Sequence, residues 1–185
     1  MKLSKTHKYI VLCEDKQSLC YIRRFLLTQG IDGRKIFMLA LPASGCGEQY
    51  VRIQFPKYLK LLRSRNFDSN VFVVAIDADK KTYSERKMQL ENTCQSANMP
   101  LVQKTDKLLL FIPKRNIETW IKYYRNESVD EEQDYAHFLN GHESDCYTAA
   151  DKMSNDFSLG TVSDVLPSLQ ESYRNYEHLV TLLEA

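Results

Sequence analysis

Four short apolar runs, at positions 8–13, 36–41, 71–76 and 108–112, limit what this chain can fold into. The first is continuous rather than alternating, the pattern of a strand buried on both faces, and such strands belong to parallel sheets covered by helices. Val71 to Ile76 is the strongest of the four, with four β-branched residues in six. Helical segments lie between them. Leu19, Ile22, Phe25 and Leu26 share a stripe that Gly30 would stop. Glu48 to about Arg65 is helical, and Pro56 fits the first turn of a second piece better than the middle of one helix. Thr82-Tyr83-Ser84-Glu85 has the form of a capping box and opens a helix to about Ala97. Ile117, Trp120, Ile121 and Tyr124 form a further stripe that Asn116 can cap. Strands alternating with helices predict an α/β fold, with about four mostly parallel strands and helices on both faces, over residues 1–126. Beyond residue 126 no strand run appears. Short helical stretches near Gln133–Leu139 and Tyr147–Phe157, and a longer one from Ser168, predict a helical subdomain over 127–185, packed on the first.

The two parts differ in charge. Residues 1–126 hold 23 Lys and Arg against 11 Asp and Glu, whereas residues 127–185 hold 2 against 13. A basic body suits a polyphosphate partner, because neutralising phosphates releases condensed counterions. An acidic tail can instead pack on that body and cancel it. The apolar runs are far shorter than the roughly 20 residues that cross a bilayer, so no membrane partner and a cytoplasmic location are expected. The five cysteines include no Cys-x-x-Cys pair and read as reduced thiols. His137, His142 and Cys146 lack a fourth ligand at a zinc-like spacing.

In an open parallel sheet, ligands bind beyond the carboxyl ends of the strands, where strand order reverses. The first run ends in Cys13-Glu14-Asp15 and the third in Ile76-Asp77-Ala78-Asp79, so acids from two strands gather on one edge. In extended chain Asp77 and Asp79 point the same way, and a divalent cation between them would relieve their repulsion. Few oxygen ligands with room for phosphate describe magnesium better than calcium. Asp15 has a second reading, as the cap of the following helix. Glu118 falls in the first turn after the fourth strand, where a helix dipole also favours an acid. Lys16, Lys80, Lys81, Lys114 and Arg115 all follow strand ends and suit a phosphodiester backbone. Gly45 and Gly47 could cradle a phosphate or simply turn the chain.

A glutamate after the first strand and an Asp-x-Asp after the third resemble the TOPRIM domain shared by topoisomerases, primases and the OLD (overcoming lysogenization defect) nucleases. The stretches Pro113-Lys114-Arg115-Asn116-Ile117-Glu118-Thr119-Trp120 and Leu166-Pro167-Ser168-Leu169 look like a bacterial branch of stand-alone TOPRIM-like proteins, frequently encoded beside an ATPase and linked with phage defence. The resemblance implies Glu14 as general acid/base or bridging ligand, and Asp77 and Asp79 as ligands of Mg2+ or Mn2+. In the smaller branch it adds Glu118, and Lys114 is the candidate for a catalytic lysine. A second ion would fall to Glu14, Asp15 and Glu118. No separate topoisomerase-tyrosine domain is present, so strand passage is not expected.

The function expected on these grounds is metal-dependent hydrolysis of nucleic acid, DNA before RNA, under the control of a partner ATPase. Lys16, Lys80, Lys81 and Arg115 would bind the backbone without reading bases. Two alternatives stand beside it. One is a non-catalytic TOPRIM-like adaptor that binds an ATPase or nucleic acid. The other is a receiver-like phospho-acceptor, which also places an acidic pair after the first strand and an aspartate after the third around magnesium. Against that alternative, a second acid stands at Asp79 and the fourth strand runs into Pro113.

Overall fold

The structure is a computed structural model that describes residues 1–42, 46–64, 68–135, 143–162 and 165–184. Four strands, β1 (Lys8–Cys13), β2 (Ile36–Met38), β3 (Asn70–Ala75) and β4 (Leu108–Phe111), form one all-parallel sheet in the order β2-β1-β3-β4. Among the described residues six α-helices accompany it: α1 (Lys16–Thr28), α2 (Gly47–Leu62), α3 (Tyr83–Ser96), α4 (Ile117–Tyr124), α5 (Tyr147–Leu159) and α6 (Pro167–Glu184). Among the described residues, no helix is long and apolar enough to cross a membrane.

Period-two alternation along the buried strands sorts their side chains into two cores. Val11, Val73 and Phe111 face a cluster with α1, α4, α5 and α6. Leu12, Val74 and Leu110 face the opposite one, with α2 and α3. Helices therefore cover both faces, as the unalternated runs predict. The first cluster is continuous from Tyr9 to Val180, so the basic and acidic stretches share a core. Phe25 of α1 meets Phe111 of β4 edge-on at 5.2 Å and Phe157 of α5 at 5.6 Å. Helix α6 also covers the outer edge of β4: Leu110 N–H donates to Asn175 Oδ1 (2.6 Å) and Ile112 N–H to Ser172 Oγ (3.4 Å). An edge strand is thereby closed to further pairing.

Local signals act as expected at three helix starts. Asp15, Thr82 and Asn116 cap α1, α3 and α4, and Thr82 and Glu85 complete a reciprocal capping box. Gly30, at φ 88°, follows the end of α1. Three expectations are corrected. Helix α2 is one unbroken helix with Pro56 inside it. The residues Val51, Phe55, Pro56 and Leu59 are all buried, and their burial outweighs the one backbone hydrogen bond a proline removes. Strand β2 ends at Met38 rather than Leu41, although Leu39 N–H still bonds Val11 C=O at 2.9 Å. Gln133 to Tyr135 are not helical; the rest of that expected helix, with His137 and His142, lies outside the described residues.

Gln29, fully buried at the end of α1, ties the two ends of the chain together. The two hydrogens of its amide Nε2 are shared among Ser154 O (2.8 Å), Ser154 Oγ (2.9 Å) and Ser158 Oγ (2.9 Å), while Oε1 accepts from Tyr176 Oη (2.9 Å) and Leu3 N–H (3.4 Å). Replacing Gln29 by Leu takes this partner from buried Leu3 N–H and Ser154 Oγ, while Tyr176 Oη keeps Met1 O and Ser154 O keeps Ser158 Oγ. Urea unfolding should show a loss of about 3 kcal/mol, the upper end of what an unsatisfied buried polar group costs.

Candidate functional site

The chain leaves β1 toward β2 on one side and returns past it to β3, so strand order reverses between β1 and β3. Their six-residue register pairs Cys13 with Ala75, which brings the residues just beyond both strands together. There Glu14, Asp15 and Asp77 each offer a carboxylate oxygen, and the three atoms lie within 4.8 Å of one another. Asp77 N–H donates to Glu14 Oε1 at 3.3 Å. Asp15 also caps α1, accepting Ser18 N–H at 2.7 Å, as its second reading expects.

The site grades from solvent inward. Asp15 is exposed, Glu14 half-buried, and Asp77 only 8% exposed. Asp77 Oδ1 is buried with no hydrogen-bond partner. Burial, then the charge of Glu14, pushes the Asp77 carboxyl well above its usual range, and burial raises Glu14 as well. Glu118 belongs to the same field. Burial first, then Asp15, Asp134 and Glu14, push its carboxyl up to about 7. Like charges confined with an orphaned buried oxygen fit the demands of a hard divalent cation, whose ligands are oxygens.

The structure separates Asp79 from this group. The chain is not extended there: Asp79 has φ 54° and is the second residue of a turn in which Lys81 N–H bonds Ala78 C=O (2.9 Å). Asp77 and Asp79 therefore do not line one side, and Asp79 Oδ2 instead sits 2.5 Å from Arg86 Nη2. Lys114 is ion-paired with Glu132 (3.1 Å) and lines a cavity of ≈ 340 Å³ with Ser84, Glu131 and Ser168. Lys16 and Lys80 are exposed, while Lys81 and Arg115 are half-buried, all just past strand ends. Gly45 lies outside the described residues.

Gly47 does more than turn the chain. It opens α2 against Glu14: a Cβ placed there would stand 2.3 Å from Glu14 O. Sequence reasoning also missed Arg86 and Glu48. Arg86, 1% exposed, reaches Glu48 Oε1 as well as Asp79. A signal was present, since Arg86, Leu90 and Cys94 recur every four residues on the buried face of α3, where an arginine needs a partner.

The acidic turn closes over the same end of the sheet. Asp134 accepts from Asn116 Nδ2 (2.6 Å), and Glu131 accepts from Ser168 Oγ (2.5 Å), which itself receives Trp120 Nε1–H (2.9 Å).

A carboxyl raised by folding stabilises the protein where it is protonated, below its ordinary value, and that contribution is lost as pH climbs through the folded value. Glu118→Gln should therefore match wild type in urea unfolding near pH 4.5 and exceed it at pH 8 by about 2 kcal/mol. Equal stabilities at both pH values would remove Glu118 from the acidic field. No protein-family model, no curated protein and no solved structure matches this chain, so its own residues carry the functional reading.

Proposed function

We propose that the protein is a divalent-metal-dependent phosphodiesterase acting on nucleic acid, in the manner of a TOPRIM nuclease. The observation that carries this reading is the three-carboxylate group at the strand-order reversal, with a buried aspartate oxygen left unpartnered. Glu14, Asp15 and Asp77 would hold Mg2+ or Mn2+, with Glu118 beside them. Bound there, the ion supplies Lewis-acid polarisation of a phosphoryl oxygen and a lowered pKa for water.

The chain's own groups do the rest. Glu14 would serve as general base toward the attacking water or as a ligand bridging to the ion, the two roles the resemblance implies for it. Lys16, Lys80, Lys81 and Arg115 hold the phosphate backbone at the rim, which positions the strand without selecting sequence. Lys114 is left without a step, because it faces Glu132. Cleavage this unselective needs control. The resemblance to TOPRIM-like proteins encoded beside an ATPase supplies a candidate partner, and an antiviral setting with it.

A receiver-like phospho-acceptor is the second reading. It is favoured by one feature, that the close acids are the pair after β1 and Asp77, without Asp79.

Plasmid DNA incubated with the purified protein should be nicked in Mg2+ or Mn2+ and left intact in EDTA. Asp77→Asn should slow nicking at least about 100-fold, the upper end of what even outer metal partners cost. Label from acetyl phosphate retained on Asp77, without nicking, would replace the nuclease by the receiver. Neither nicking nor label, with the partner ATPase present, would leave the adaptor.

A further inference from the structure

Arg86 spreads one guanidinium over the two segments that flank the acidic site. Nη2 reaches Asp79 Oδ2 (2.5 Å) and Ala78 O (3.4 Å), on the turn just beyond Asp77. Nη1 reaches Glu48, in the first turn of α2, and Gln89 Oε1 (2.6 Å). Glu48 also lies 2.7 Å from Arg52 Nε, so two arginines and two acids balance in charge. The preceding residue, Gly47, packs directly on the backbone of Glu14. One end of the fork thus bears on the segment carrying Asp77, and the other on the helix start pressed against Glu14.

We propose that Arg86 is a positioning residue that sets the spacing of Glu14 and Asp77 by clamping Glu48 and Asp79, and that Asp79 serves this clamp rather than the metal. The proposal rests on the metal reading above. Three observations carry it. Arg86 is 1% exposed, and a buried guanidinium demands anionic partners. The left-handed backbone at Asp79 takes that residue out of the strand alternation that would align it with Asp77. The close carboxylate group is complete without Asp79. A planar fork is needed because the two acids stand on different segments; an ammonium is a point charge and cannot span them.

The test is Mn2+ affinity of the full chain, read from the electron paramagnetic resonance of the free ion at a temperature where circular dichroism shows each variant folded. Asp77→Asn should weaken binding strongly. Asp79→Asn, whose amide oxygen still accepts from Arg86, should stay within about 3-fold of wild type, whereas Arg86→Met should weaken it roughly 10- to 100-fold, as lost outer partners do. Arg86→Lys should fall between. If Asp79 is itself a ligand, Asp79→Asn drops as far as Asp77→Asn, and Arg86→Met tightens binding by freeing Asp79. Either result overturns the proposal and leaves the metal reading standing. Wild-type protein that binds no Mn2+ overturns both. Should Arg86→Met not fold, the comparison of Asp79→Asn with Asp77→Asn decides.

Discussion

Six consecutive residues of β1 pair in parallel with six of β3, and the site depends on that register. A slip of one residue would turn every side chain of a strand to the opposite face. It would move Val11 and Val73 out of one core and Leu12 and Val74 out of the other, so two packed faces hold the alignment. What the register delivers at its end is electrostatically unfavourable: Glu14 and Asp77 in contact, with Asp77 buried. The apolar ladder supplies the stability that keeps these acids together. A fold that spends packing energy in this way holds a charge arrangement its isolated residues would avoid.

The fold was legible where the signal is local. Unalternated runs gave β1, β3 and β4, and Asp15, Thr82 and Asn116 announced their helices through side-chain oxygens that cap nearby backbone N–H groups. The continuity of α2 through Pro56 was not legible, because it depends on the core that Phe55 and Leu59 enter. Glu14 and Asp77 could be paired from sequence because both follow strands of one parallel sheet. Asp79 could not be placed, since its left-handed turn and its arginine, seven residues on, are tertiary facts. Spacing of two residues promised a shared direction only while the chain stayed extended.

The division of charge along the chain also takes a structural form. Acidic residues of the second part meet partners of the first one by one: Asp151 with Arg24 (2.6 Å), Glu132 with Lys114 (3.1 Å) and Asp134 with Asn116 (2.6 Å). These contacts are partly exposed and individually weak. The bond between the two parts lies instead in the aromatic cluster around Phe25, Phe111, Phe157 and Tyr176, and in the amide of Gln29. The acidic stretch is therefore anchored by its apolar side, and from it Asp134 adds to the charges that raise Glu118.

Gly47 shows how little material can fix a helix. With backbone oxygen only 2.3 Å from where a methyl group would stand, the obstacle cannot rotate aside as a side chain would. Even alanine would oblige α2 to retreat along or away from its axis. Glu48 is the next residue, so that retreat would draw it off Arg86 and loosen the far side of the acidic edge. Position 47 thus behaves as a mechanical stop: the helix docks as deeply as an absent methyl allows, and its depth sets the geometry of residues that never touch it.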